Sequence, residues 1–352
     1  VKHPVHTPVI AADGGVLRFA LADLLGGEAQ SMRIELLDAD AAEPWLTRLI
    51  GPEASLTALR AGHAEVPAQP DLAALALLLW ARRWWPASPT LGIPSLDPAL
   101  LDLEAAVATT AVEDVAEGLL DGFEASPAEL FDQASNSGLF AAARPVPGEV
   151  RLRCARLSAW FDSQDDLVRA EAAAGLAARL ESVAPGRRAY ALAAGSGPGA
   201  SGEGVLAEGR ASVDWARVPP GILDAAEDTV TWRIVATPAA ARLEVEVAGA
   251  LDDASLTAVA THDGEPFAEA ALDLGSAGFA GTADLDEAGA RLAATPALRF
   301  DLVVGAAGQD VEGTTPQDRA EVVSLVRARE ALPPQVQTLA ERAASRDADE
   351  EF

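Results

Sequence analysis

The chain has 352 residues with 54 acidic and 26 basic side chains, a net charge of −28, and every basic residue but Lys2 is arginine. That charge repels nucleic acid and anionic membrane surfaces, while four histidines, one cysteine and one tyrosine leave little with which to build metal sites or nucleophile–base pairs. A hydrophobic fraction of 49% excludes wholesale disorder, and 5% aromatics points to cores of Leu, Val and Ala with a few aromatic anchors.

In chain order, residues 4–38 predict strands: Val5–Ile10, then Val16–Leu21 after the turn signal Asp13-Gly14-Gly15, then Met32–Leu37 after Gly26-Gly27. Residues 43–135 predict helices, with Pro44 and Pro52 suited to first-turn positions and Pro70 placed before the most apolar stretch, Leu72–Trp80. That stretch is too short to span a bilayer. Ser126-Pro127-Ala128-Glu129 has the spacing of a capping box, in which the hydroxyl and the carboxylate each accept from the other residue's backbone N–H.

Past Arg144-Pro145-Val146-Pro147-Gly148 a strand is expected over Glu149–Ser158, with Cys154 as a small inward-facing residue. The neighbouring Arg151, Arg153 and Arg156 would lower its thiol pKa only if it were exposed. A helix over 165–183 follows, with Leu167, Ala170, Ala174, Ala177 and Leu180 spaced for one face, and Arg188–Ala194 reads as a further strand. Gly195–Gly204 reads as a link. A phosphate loop would need a helix and a lysine after the glycines, and neither follows.

Seven short β runs then recur at 205–215, 229–236, 242–247, 255–261, 267–274, 279–285 and 298–304, the signature of a sandwich. Alternation is plain in Leu243-Glu244-Val245-Glu246-Val247. A helix from Thr315-Pro316 to Ala331, a break at Pro333-Pro334 and a last short helix complete the chain. The expected fold class is α+β. A mixed helical and strand domain (1–194) and a linker (195–202) precede an immunoglobulin-like antiparallel β-sandwich (203–308), a helical segment (315–346) and an acidic tail (347–352).

No catalytic, cofactor-binding or metal-binding residues are assigned. His3 and His6 are separated by prolines, His63 sits in a loop, and His262-Asp263-Gly264 reads as a hairpin turn. Asp162, Asp165 and Asp166 precede a helix, where acids favour the dipole and where Ser163 or Asp165 can cap. The most suggestive segment is Trp80-Ala81-Arg82-Arg83-Trp84-Trp85-Pro86, because Trp and Arg are enriched at binding hot spots. Core packing is the competing reading, with Trp80 inward and Arg82, Arg83 and Trp85 nearer the surface at the Pro86 break. Phe352, an apolar side chain beside a terminal carboxylate, is either a frayed tail or a linear motif.

The segment from Trp215 through Val218-Pro219-Pro220-Gly221 to Trp232 resembles uncharacterised actinobacterial proteins, a resemblance that covers about a third of the chain and brings no site residues with it. Without a visible secretory signal, the sequence reads as a cytoplasmic, non-enzymatic accessory or scaffold protein. Its partner is another protein through Arg82, Arg83, Trp84, Trp85 and Phe352, with no nucleic acid, no membrane and no cofactor. Two alternatives stand beside this reading: a ligand- or carbohydrate-binding sandwich using Trp215 or Trp232, and a hydrolase working through carboxylates alone.

Overall fold

The computed structural model describes residues 4–27, 29–121, 126–183, 204–237, 241–249, 255–263, 265–275, 278–293, 301–305 and 313–349. The expected strand at 188–194, the linker at 195–202 and Phe352 lie outside these residues. The fold is α+β, in two compact units that are not consecutive in the chain. The first comprises 1–83, 96–189 and 320–352, and the second 84–95 and 190–319.

The first unit opens with a four-stranded antiparallel sheet in the order β1 (Val9–Ala12), β2 (Gly15–Arg18), β3 (Ser31–Leu36), β4 (His63–Pro67). Gly14 turns the β1–β2 hairpin at φ 68°, and a Cβ there would stand 2.4 Å from the Asp38 carbonyl oxygen. Met32 and Ile34 face the core, while Glu35 on the other face takes Arg18 at 2.8 Å. α1 (Leu21–Leu25) interrupts the expected run of strands and buries Leu21, Leu24 and Leu25.

Asp38 caps α2 (Ala39–Ile50), so Pro44 falls inside the helix rather than in its first turn. The buried Trp45 ties α2 to the sheet by donating from Nε1 to the Asp13 carbonyl at 2.7 Å. Pro52 and Pro70 open α3 (Pro52–Ala61) and α4 (Pro70–Trp84), as expected.

α5 (Pro98–Val115) is the central helix, with no exposed residue between Ala99 and Glu113, as suits an interior helix. Against it pack α6 (Pro127–Asn136), α7 (Leu139–Ala142) and α8 (Pro147–Ser163), and α9 (Leu167–Glu181) packs on α8. The expected Ser126–Glu129 capping box is formed at α6. The strand expected at 149–158 is instead α8: Val150, Cys154, Leu157 and Phe161 are spaced to bury one helical face, and Pro147 sits at its first turn.

The second unit holds one antiparallel sheet of seven strands. They are β5 (Val205–Ala211), β6 (Val230–Ala236), β7 (Ala241–Val247), β8 (Leu256–His262), β9 (Glu265–Gly275), β10 (Gly278–Leu285) and β11 (Asp301–Gly305). Their spatial order is β11-β8-β9-β10-β7-β6-β5. The long β9 pairs with β8 over 265–272 and with β10 over 273–275, which joins the two halves of a curled, sandwich-like sheet. The curl brings β10 against β9 so closely that a Cβ on Gly281 would stand 2.2 Å from the Ala271 carbonyl oxygen. Leu243, Val245 and Val247 point inward, as their alternation predicts.

α10 (Glu287–Ala293) was not expected. Nor was the recruitment of residues 84–95 to this unit. Buried Asp224 accepts from the Ser88 hydroxyl, from the Thr90 hydroxyl at 2.6 Å and from the Ala226 N–H at 3.0 Å. α11 (Pro316–Glu330) begins in the second unit, and its later residues, with α12 (Leu339–Asp349), belong to the first. The C-terminal helices are therefore divided from the sheet they follow in sequence.

Candidate interaction surface

The predicted Trp and Arg segment is engaged within the fold. Trp80 is buried and donates from Nε1 to the Val5 carbonyl at 2.8 Å. Trp85, expected near the surface, is only 3% exposed, because the chain turns back after α4 and the indole donates to the Pro94 carbonyl at 2.9 Å. Arg83 and Trp84 are half-buried. Arg82 keeps 38% of its side chain exposed, donates to Gln133 on α6 at 2.7 Å, and holds Nη1 2.9 Å from Asp102 on α5.

Asp102 is the most unusual carboxylate of this region. It is fully buried, its Oδ1 has the Arg82 charge beside it without a well-directed hydrogen bond, and burial pushes its pKa up to about 6 against the partial offset of Arg82. The cluster cross-links α4, α5 and α6. Glu104, two residues on, faces α8 and α12 instead, accepting from Arg153 at 2.6 Å and from the Leu339 N–H. Burial raises its pKa as well, with Arg153 acting in the opposite direction.

Other candidates resolve into structure. Burial pushes the Cys154 thiol up to about 12, so its arginine neighbours do not activate it. Asp166, rather than Ser163 or Asp165, caps α9 and pairs with Arg169 at 2.7 Å, while Asp165 takes the turn at φ 59°. Trp215 is buried and donates to the Ala225 carbonyl at 3.2 Å, and Trp232 lies across Gly209 of β5. Among the described residues there is no group of three His, Cys, Asp or Glu arranged to hold a metal ion, and no helix long and apolar enough to cross a membrane.

The surface that stands out is the outer side of the α8–α9 hairpin, whose helices are joined where the Ser158 hydroxyl donates to the Ala170 carbonyl at 2.9 Å. Opposite the buried face of α8, Leu152 is 59% exposed, with Ala155 and Ala159 beside it and Arg151 and Arg156 on its flanks. On α9, Leu167 and Val168 are 64% and 80% exposed, followed by Glu171, Ala172, Ala174, Gly175 and Ala178. The expected apolar face of this helix is thus only partly inward, since Ala170, Ala173 and Leu180 are buried while Leu167 and Ala174 are not.

Arg151, Arg156 and Glu171 form no ion pair among the described residues. Between Leu152 at one end of this face and Leu167 and Val168 at the other lie exposed alanines and a glycine, an apolar strip with charged side chains on its flanks, the composition of an association surface. Reading 149–158 as a strand hid this face. Helical spacing of Val150, Cys154, Leu157 and Phe161 would have disclosed it.

No protein-family model, curated protein or solved structure matches the chain.

Proposed function

We propose that the protein is a non-enzymatic cytoplasmic accessory or scaffold protein, and that it associates with another protein through the outer face of the α8–α9 hairpin. The observation that carries this reading is the exposure of Leu152 on α8 and of Leu167 and Val168 on α9, at 59%, 64% and 80%, on the outer side of one hairpin that also carries arginines without ion-pair partners among the described residues. Burying such a face would remove apolar area from water and pair those charges. The placement in the cytoplasm rests on a chain whose only cysteine is a buried free thiol. The likeness of the Trp215–Trp232 segment, with a composition rich in alanine, arginine, glycine and proline and nearly without lysine, supports an actinobacterial origin as part of the same reading.

The test is recovery of bound protein from the native cells with tagged wild type and with the double variant Leu152→Asp/Val168→Asp. A partner present in stoichiometric amount with wild type and lost with the variant is expected. Equal recovery by both proteins would refute the assignment of the surface.

A further inference from the structure

We infer that the outer face of the α8–α9 hairpin is a homodimer interface in which α8 of one copy lies over α9 of the other. This inference rests on the interaction surface just proposed and names its partner as a second copy of the chain. One hairpin carries complementary charge on its two helices. The outward side of α8 carries Arg151 and Arg156, and the outward side of α9 carries Glu171 and Glu181. Each copy therefore presents both halves of a complementary pair, and a two-fold axis uses both at once, as an isologous interface requires.

The direction of the axis follows from the same charges. An axis running along the helices sets α8 on the partner's α9. The Ser158–Ala170 contact fixes the levels of the two helices, so Arg156 comes level with Glu171 and Ala172 of the partner. An axis running across the helices would instead set α8 against α8 and α9 against α9, which leaves Arg156 without Glu171. Ala155, Ala159, Ala172 and Gly175 leave room for the helices to approach, and Leu152, Leu167 and Val168 supply the apolar area. Arg179, the remaining cation of α9, is engaged over the Phe140 ring at 4.2 Å.

The experiment is sedimentation equilibrium of the purified full chain. The wild type is expected at twice the 36.2 kDa of one copy. Arg151→Glu/Arg156→Glu should weaken the dimer by roughly tenfold or more, and adding Glu171→Arg/Glu181→Arg should restore it. All four side chains are exposed, so unchanged thermal melts serve as the folding control. A wild type that stays monomeric up to about 0.1 mM overturns the inference. So does a dimer indifferent to the first pair of reversals, and so does one that the second pair fails to restore. If the wild type is monomeric while Leu152→Asp/Val168→Asp still abolishes recovery of a different protein, self-association falls and the interaction surface stands.

Discussion

Arg329 and Glu341 form a two-pronged ion pair sealed from solvent, Nε to Oε1 at 2.7 Å and Nη2 to Oε2 at 2.9 Å. The remaining guanidinium protons go to the carbonyls of Leu24, Leu25 and Val336. Glu341 also accepts from the Thr338 N–H, which closes the capping box of α12. One buried cation thus fastens both C-terminal helices to α1, at the far end of the sequence. Removing a single member leaves the other charge buried without its partner. Glu341→Ala is accordingly expected to cost about 3–5 kcal/mol in denaturant unfolding. A cost under about 1 kcal/mol would show that the pair does not hold the helices.

The Asp102 carboxyl gives a pH dependence of defined sign. Its pKa is raised from 3.8 to about 6 in the folded chain, so between those values the native state holds a proton that the unfolded state has released. The stability contributed by that proton is full below the unfolded value and is lost as the pH rises through 6. Relative to Asp102→Asn, the wild type should lose up to about 3 kcal/mol between pH 4 and pH 7. Parallel stability curves for the two proteins would contradict it.

Cys154 offers a direct check on α8. The thiol is fully buried and its pKa is pushed up to about 12, so a thiol reagent should react roughly a hundredfold more slowly with native protein than with unfolded protein. Equal rates would place Cys154 at the surface and the helix in the wrong rotation.

Asp224 tests the recruitment of residues 84–95. It receives Ser88, Thr90 and Ala226 within one buried site. Asp224→Ala leaves two hydroxyls and the backbone N–H groups of Thr90 and Ala226 without their acceptor, and a loss of about 2–4 kcal/mol is expected. For the same reason a fragment beginning at residue 195, which lacks Ser88 and Thr90, should melt below one that retains 84–95. A fragment unaffected by that omission would show that the segment is not needed by the sheet.

Trp80 and Arg83 separate packing from surface chemistry in the α4 segment. Trp80→Ala opens a cavity and orphans the Val5 carbonyl, for an expected loss of about 3–5 kcal/mol. Arg83→Ala, at a half-buried position, should cost less than Trp80→Ala in the same unfolding measurement. Equal losses would assign Arg83 to the core.

The β runs of the second unit were legible because alternation such as Leu243-Glu244-Val245-Glu246-Val247 has a period of two and each run ends at turn residues. The Ser126–Glu129 box was legible because its two hydrogen bonds need fixed spacing. α8 was not, because Arg151-Leu152-Arg153-Cys154 alternates over four residues and only the longer spacing through Phe161 separates a helix from a strand. Trp85 was misplaced because a loop returning to Pro94 leaves no periodic trace. The partition of the chain into units was hidden for a related reason: Asp224 and Ser88 meet 136 residues apart, and composition does not record such a pairing.

The proposed association brings two copies together through the outer face of α8 and α9. The most direct measurement is a pulsed dipolar spectrum of full-length protein spin-labelled at Ala159→Cys, with the native Cys154 buried and left unlabelled. Ala159 lies on the proposed interface, so a single well-defined distance between the two copies is expected, lost on Arg151→Glu/Arg156→Glu and regained with Glu171→Arg/Glu181→Arg. A bare background decay from wild-type protein, or a distance untouched by the reversals, would contradict it.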